Sequence, residues 1–240
     1  MKVITVDNYE QMSELAAKLI GEVVISNPYA TLGLATGSTV LGVYRKLRQM
    51  NAMGELSFCN VKAVNLDEYV GLDSNHQQSY AYYMRSNLFN HIDIDRANTF
   101  IPSGVAKSLD EECAGYNKLL DIIPRDVQLL GLGSDGHIAF NEPGSSFDSR
   151  TRVVQLETST IRDNSRLFDK ESDVPKRAIS MGIADIMSAN KLVLLASGVN
   201  KAQAVKDMVR GNVCEQCPAS ILQRHADAVV IVDKEAASLL

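Results

Sequence analysis

A chain of 240 residues with 45% hydrophobic side chains can bury a sizeable core and fits one large α/β domain or two small ones. A net charge of −5 argues against a nucleic-acid surface, which needs a basic face to displace counterions, so any anionic ligand depends on a local positive pocket. No uncharged run approaches the roughly 18 residues of a membrane helix, and the opening MKVITVDNYEQMS has no basic stretch followed by an apolar one. The expectation is a cytoplasmic protein with neither nucleic-acid nor membrane partners. Its four cysteines are too sparse for a disulfide scaffold and read as reduced thiols. Cys59 and Cys113 are expected to be buried filler, and Cys214-Glu-Gln-Cys217 is a lone CxxC without the further ligands of a zinc site.

In chain order, a first strand begins at Lys2, and Tyr9 to Leu19 has a helical pattern. Thr31 to Ala35 (TLGLA) is apolar on both alternating faces, as a buried parallel strand is. It leads through Thr36, Gly37, Ser38 and Thr39 into a helix expected over Thr39 to Met50. Free backbone N–H groups, small hydroxyls and the positive end of a helix dipole make that turn a candidate phosphate cradle. It lacks the lysine and spacing of the GxxxxGK[ST] loop, so a sugar phosphate suits it better than a nucleoside triphosphate.

The next strand, Val61 to Leu66, ends in adjacent carboxylates, Asp67 and Glu68, followed by Tyr69. Side chains of neighbouring residues in an extended segment point to opposite sides, so one of the two faces a site, and alternation alone does not say which. The bland reading of the pair is a helix-capping Asp beside a solvated Glu. Ser108 to Leu120 opens with a capping-box pattern, Ser108 with Glu111.

After the strand Val127 to Leu132 comes GLGSDGHIAFNEPG, residues 131–144. Its first six residues match GxGxxG, but Asn141-Glu-Pro-Gly144 breaks the chain where a dinucleotide fold needs a long helix. Asp135, His137 and Glu142 then have two readings, a divalent-metal site or an imidazole flanked by carboxylates for proton transfer near neutral pH. The second is preferred, because nothing supplies the spaced helical histidines of familiar zinc motifs. Thr158 to Arg177 is strongly charged with little apolar periodicity, either a flap carrying the candidate anion ligand Arg166 or a solvated helix and loop. The strand Lys191 to Ser197 leads to Lys201 near the start of a helix that Gly211 terminates. A lysine there opposes the helix dipole and calls for an anionic partner. Ala228 to Asp233 is the last strand. Alternating strands and helices without repeat or linker predict one domain over 1–240, a doubly wound, mainly parallel sheet with helices on both faces, and its ligands belong at the carboxyl ends of the strands.

LATGST (Leu34 to Thr39), NLDEYVGL (Asn65 to Leu72), GLGSDGHIAFNEPG, the NSRLF segment around Arg166 and the SGVNKA segment around Lys201 together resemble the glucosamine-6-phosphate deaminase family in order and spacing, over nearly the whole chain. The resemblance implies conversion of glucosamine 6-phosphate to fructose 6-phosphate and ammonium with no metal and no organic cofactor. It implies that His137 is the base that helps open the sugar ring, with Asp135 and Glu142 as relay partners. Asp67 would move a proton between C2 and C1. Ser38 with the backbone around Gly37 and Thr39, Arg166 and Lys201 would hold the phosphate, and residues of about 158–177 would form a lid. Allosterically controlled members carry a basic residue where this chain has Val154, and a longer C-terminal tail, so a non-allosteric, monomeric type is expected. The alternatives are a 6-phosphogluconolactonase, whose Asp-Glu-Arg pattern is replaced here by Asp67-Glu-Tyr69, and a sugar-phosphate-sensing domain, which would need an attached helix-turn-helix and a basic face.

Overall fold

The computed structural model describes residues 1–165, 168, 170 and 173–240. Seven strands form one sheet in the order β1 (Lys2–Val6), β10 (Ala228–Asp233), β9 (Leu192–Ala196), β6 (Val127–Gly131), β2 (Thr31–Leu34), β3 (Lys62–Asn65), β5 (Thr99–Phe100). Every pairing in it is parallel, with Leu32 opposite Val127 and Gly33 opposite Val64 among the central partners. The runs apolar on both faces are the central strands because each is covered twice. Leu129, Leu130, Leu192, Val193, Leu194, Leu195, Val230 and Ile231 are all fully buried.

Around this sheet pack α1 (Tyr9–Ser26), α2 (Leu41–Ala52), α4 (Leu109–Ile122) and α7 (Ala202–Arg210), with the short α3 (Tyr80–Asn87) and α6 (Ile183–Met187). The doubly wound parallel architecture is as expected, and the differences are local. Helix α1 runs a further two turns because Ile20 and Val24 continue its buried stripe. The expected helix at Thr39 starts as a short 3-10 turn, Ser38–Val40, and becomes α-helical at Leu41. Ser108 caps α4 by accepting the Glu111 N–H at 3.2 Å, and Gly211 ends α7.

Three corrections stand out. Cys59, expected to be buried, is exposed in the turn before β3, whereas Cys113 is buried. A three-stranded antiparallel sheet of β4 (Asp67–Tyr69), β8 (Arg177–Ser180) and β7 (Arg152–Gln155) was not anticipated, because strands of three or four mixed-polarity residues carry too little periodicity. The charged segment is not simply solvated: it opens with α5 (Thr158–Ser165), and Thr160 and Val174 are buried. Arg166 lies outside the described residues. Among the described residues no helix is long and apolar enough to cross a membrane.

Candidate active site

Strand order reverses between β2 and β6. From β2 the chain moves outward to β3 and β5, and from β6 it moves the other way, to β9 and β10. The loops leaving two such neighbours diverge and open a crevice at their carboxyl ends. A cavity of about 230 Å³ fills it, lined among others by Thr36–Thr39, Asp67, Tyr80, His137, Thr160 and Lys201.

On one wall, the turn after β2 is held by tyrosines that the sequence did not single out. The Tyr44 hydroxyl donates to the Ala35 carbonyl, Tyr83 to Gly37 at 2.7 Å and Tyr9 to Ser38 at 3.1 Å. Tyr9 also accepts the Gly42 N–H at 2.8 Å, which ties the turn to α2. These bonds engage the carbonyls of Ala35, Gly37 and Ser38, while Thr36, Gly37, Ser38 and Thr39 line the cavity at a helix start, where N–H groups have no helical partner of their own. Lys201 enters the same cavity from the 3-10 turn that follows β9.

The adjacent carboxylates separate as strand geometry requires. Leu66 still bonds to β2 through its N–H, but at Asp67 the chain leaves the parallel sheet and pairs with β8, Asp67 opposite Ser180. Asp67 faces the cavity and Glu68 turns away. Glu68 accepts the N–H groups of Tyr69 and Tyr80 on one oxygen and that of Ala81 on the other, at 2.8–2.9 Å, so it sits on the positive end of α3. The bland reading is therefore inverted: the glutamate caps a helix and the aspartate is the one left facing the ligand space. Burial, and then the charge of Glu68, push the Asp67 carboxyl up to about 8, with His137 pulling the other way.

The opposite wall is the turn after β6. The Gly133 N–H donates to the His137 carbonyl at 2.9 Å, and a Cβ on Gly133 would lie 2.3 Å from the His137 ring. Only glycine lets the imidazole fold back over the turn. Its Nδ1 is 2.7 Å from Asp135 Oδ1 and 3.4 Å from Glu142 Oε2. Burial opposes a charge on this ring, yet the two carboxylates outweigh it and raise His137 to about 9, while His137 outweighs burial in holding Asp135 well below the usual carboxylate range. The other Glu142 oxygen accepts the Thr160 hydroxyl at 2.6 Å. Ala139 takes a left-handed conformation, φ 52°, which turns Phe140 inward so that its ring stacks on Tyr80 at 6.1 Å and its N–H reaches Ser180 Oγ at 3.1 Å. The donor atoms of Asp135, His137 and Glu142 lie within 4.8 Å of one another, close enough to suit a divalent cation as well as an ion-paired imidazole.

The structure thus brings Thr36, Gly37, Ser38, Thr39, Asp67, His137 and Lys201 to one cavity, with Asp135 and Glu142 directly behind His137. Residues 6–231 match the family model described as glucosamine-6-phosphate isomerases/6-phosphogluconolactonase. The chain belongs to this family. It is 49% identical over 241 residues to a glucosamine-6-phosphate deaminase of Clostridium perfringens, covering all of both chains. It is 48% identical to one of Thermoanaerobacter pseudethanolicus, covering all of this chain and 95% of the relative. A solved monomeric glucosamine-6-phosphate deaminase superposes with a TM-score of 0.98 at 46% identity over the whole of both chains. A Trypanosoma brucei 6-phosphogluconolactonase reaches 0.81 at 21% identity, covering all of this chain and 98% of that one, and shares the fold.

Proposed function

We propose that the protein converts glucosamine 6-phosphate and water to fructose 6-phosphate and ammonium in the cytoplasm, by acid/base catalysis without a cofactor. The observation that carries this reading is that Asp67, His137 and the Thr36–Thr39 turn line one cavity. The turn and Lys201 offer an anion site for the 6-phosphate, to which Arg166 is added on the strength of its place in the NSRLF segment. Fixing the phosphate end sets which sugar carbon meets Asp67.

At neutral pH an imidazole raised to about 9 is charged. His137 therefore first gives a proton to the ring oxygen, and the neutral imidazole left behind is the base that takes the proton of the O1 hydroxyl as the C1 aldehyde forms. The base role that the family resemblance implies for His137 is the second half of this exchange, with Asp135 and Glu142 stabilising the imidazolium from its Nδ1 edge. In the open chain the aldehyde acidifies the C2 hydrogen. Asp67 removes it while the C2 ammonium gives one proton to O1, which leaves an enolamine, and Asp67 then returns its proton to C1, which leaves an iminium at C2. Water adds there, one of its protons passes to the nitrogen, the C–N bond breaks, and the departing ammonia takes the remaining hydroxyl proton, giving the ketose and ammonium.

Asp67 must be ionised to begin, yet without substrate it is held protonated at neutral pH. An ammonium on C2 beside it supplies the opposite charge that brings its proton affinity back down. A phosphogluconolactone has no such charge, so the buried Asp67 supports an amino sugar over a lactone. Closure of residues 158–177 as a lid over the cavity, a single domain over 1–240 and a monomeric state complete the reading; the high likeness to a monomeric relative and a charge of −5 that disfavours nucleic acid support it.

The deciding experiment is ammonium release from glucosamine 6-phosphate, run beside hydrolysis of 6-phosphogluconolactone, each with and without a chelator. Ammonium release that survives the chelator is expected. A folded sample that releases none overturns the reading, and loss of activity with chelator would turn Asp135, His137 and Glu142 into metal ligands.

A further inference from the structure

We propose that Thr160 is a positioning residue for this reaction: its hydroxyl fixes Glu142 beside His137 and so makes the relay depend on where α5 sits. The proposal rests on the reading above. Glu142 is nearly buried and its two oxygens have separate neighbours, Thr160 Oγ1 at 2.6 Å on Oε1 and His137 Nδ1 at 3.4 Å from Oε2. Rotating the carboxylate to serve one oxygen better moves the other, so the threonine sets the angle at which Glu142 meets the imidazole.

Two further observations separate this from ordinary packing. A threonine in a helix can turn its hydroxyl back to the carbonyl one turn earlier. Here the single hydroxyl proton goes instead to a carboxylate 18 residues away in sequence. Thr160 also lines the same cavity as Asp67 and His137, on a helix that belongs to the charged segment rather than to the sheet. The neighbouring Ile161 packs, with Phe168, on the Tyr69, Phe140, Leu156 and Ala178 cluster. Among the described residues, helix α5 docks through the apolar contact of Ile161 and the hydrogen bond of Thr160, and the second ends on the relay. Movement of α5 away from the cavity takes the donor from Glu142 and leaves a nearly buried carboxylate oxygen without it.

The test compares Thr160→Val, which keeps the shape and removes the hydroxyl, with Thr160→Ser, which keeps the hydroxyl and removes the methyl. Thr160→Ala takes the place of the valine variant if that one does not fold. In ammonium release, the valine variant is expected to lose roughly ten- to a hundredfold in kcat, the range of one hydrogen bond to a charged group, with KM within about twofold of wild type. Serine should restore most of the rate. Independently of turnover, the His137 imidazole nitrogen resonances of the substrate-free protein at pH 7 should move in the valine variant and not in the serine variant. Wild-type kcat in the valine variant overturns the proposal, as does a serine variant as slow as the valine one, which would assign the effect to the methyl group. A wild-type protein that releases no ammonium defeats the proposed function instead, and the resonances then still decide whether Thr160 orients Glu142.

Discussion

Asp67 and Glu68 are consecutive and both nearly buried, and their carboxylates lie on opposite sides of β4, one in the cavity and the other accepting three backbone N–H groups, that of Tyr69 and those of Tyr80 and Ala81 at the start of α3. The second makes the first a better base: a fixed negative neighbour, added to burial, raises Asp67 to about 8, near the pH at which it must give and take a proton. The raised value has a consequence for folding. Between the ordinary carboxylate range and about 8, the folded protein keeps the Asp67 proton and the unfolded chain releases it, so stability falls as pH rises through that window. Asp67→Asn has no such proton. Between pH 5 and 6.5, below the range in which His137 adds its own dependence, the stability of wild type relative to the variant should fall by about 1 kcal/mol per pH unit, measured by urea denaturation. The same variant should bind glucosamine 6-phosphate while losing about 10²- to 10⁴-fold in turnover. Parallel stability curves would place the Asp67 proton elsewhere, and undiminished turnover would remove Asp67 from the base role.

The Tyr83 hydroxyl on the Gly37 carbonyl predicts a different signature. Removing it with Tyr83→Phe leaves the cavity walls in place and loosens the peptide whose neighbours face the phosphate. One neutral hydrogen bond on a partly exposed backbone is worth at most about 1 kcal/mol. KM should therefore rise by about two- to fivefold, with the inhibition constant of inorganic phosphate rising in parallel and kcat nearly unchanged. A change in kcat alone would show that the tyrosine acts on the proton transfers rather than on the anion site.

What could be read in the sequence and what could not follow from the range of the interactions involved. Strands such as Leu192–Ala196 and Ala228–Asp233 announce themselves because burial on both faces demands an unbroken apolar run, and their loops mark the crevice by the sheet rule alone. Asp135, His137 and Glu142 stand within eight residues and form a local cluster. The choice between Asp67 and Glu68 came only from the family resemblance and was not legible in the alternation, since it depends on a register with β8 more than a hundred residues later. Thr160, Tyr9 and Tyr83 were missed because each is an ordinary residue type whose partner is distant in the chain, from 18 to 46 positions away. Cys59 was misplaced because a cysteine in a turn has no periodic context to show which way it faces.

Gly136 gives the sharpest test of the turn that carries His137. Its φ is +88°, and a Cβ there would lie 2.8 Å from Cys217 Sγ, in the loop that also bonds back to Gly136 through the Ala219 N–H at 2.9 Å. Alanine at this position therefore meets two separate penalties, about 1–2 kcal/mol for the left-handed backbone and a further loss for displacing a buried sulfur. The two can be resolved by a double-mutant cycle with Cys217→Ala, which removes the obstructing atom and leaves the backbone angle as it is. Gly136→Ala should destabilise the wild-type protein by more than about 2 kcal/mol and the Cys217→Ala protein by the smaller backbone cost. Its kcat should fall in both backgrounds, because the strained turn positions Asp135 and His137. Equal losses in the two backgrounds would mean that the CxxC loop yields freely and does not brace the turn.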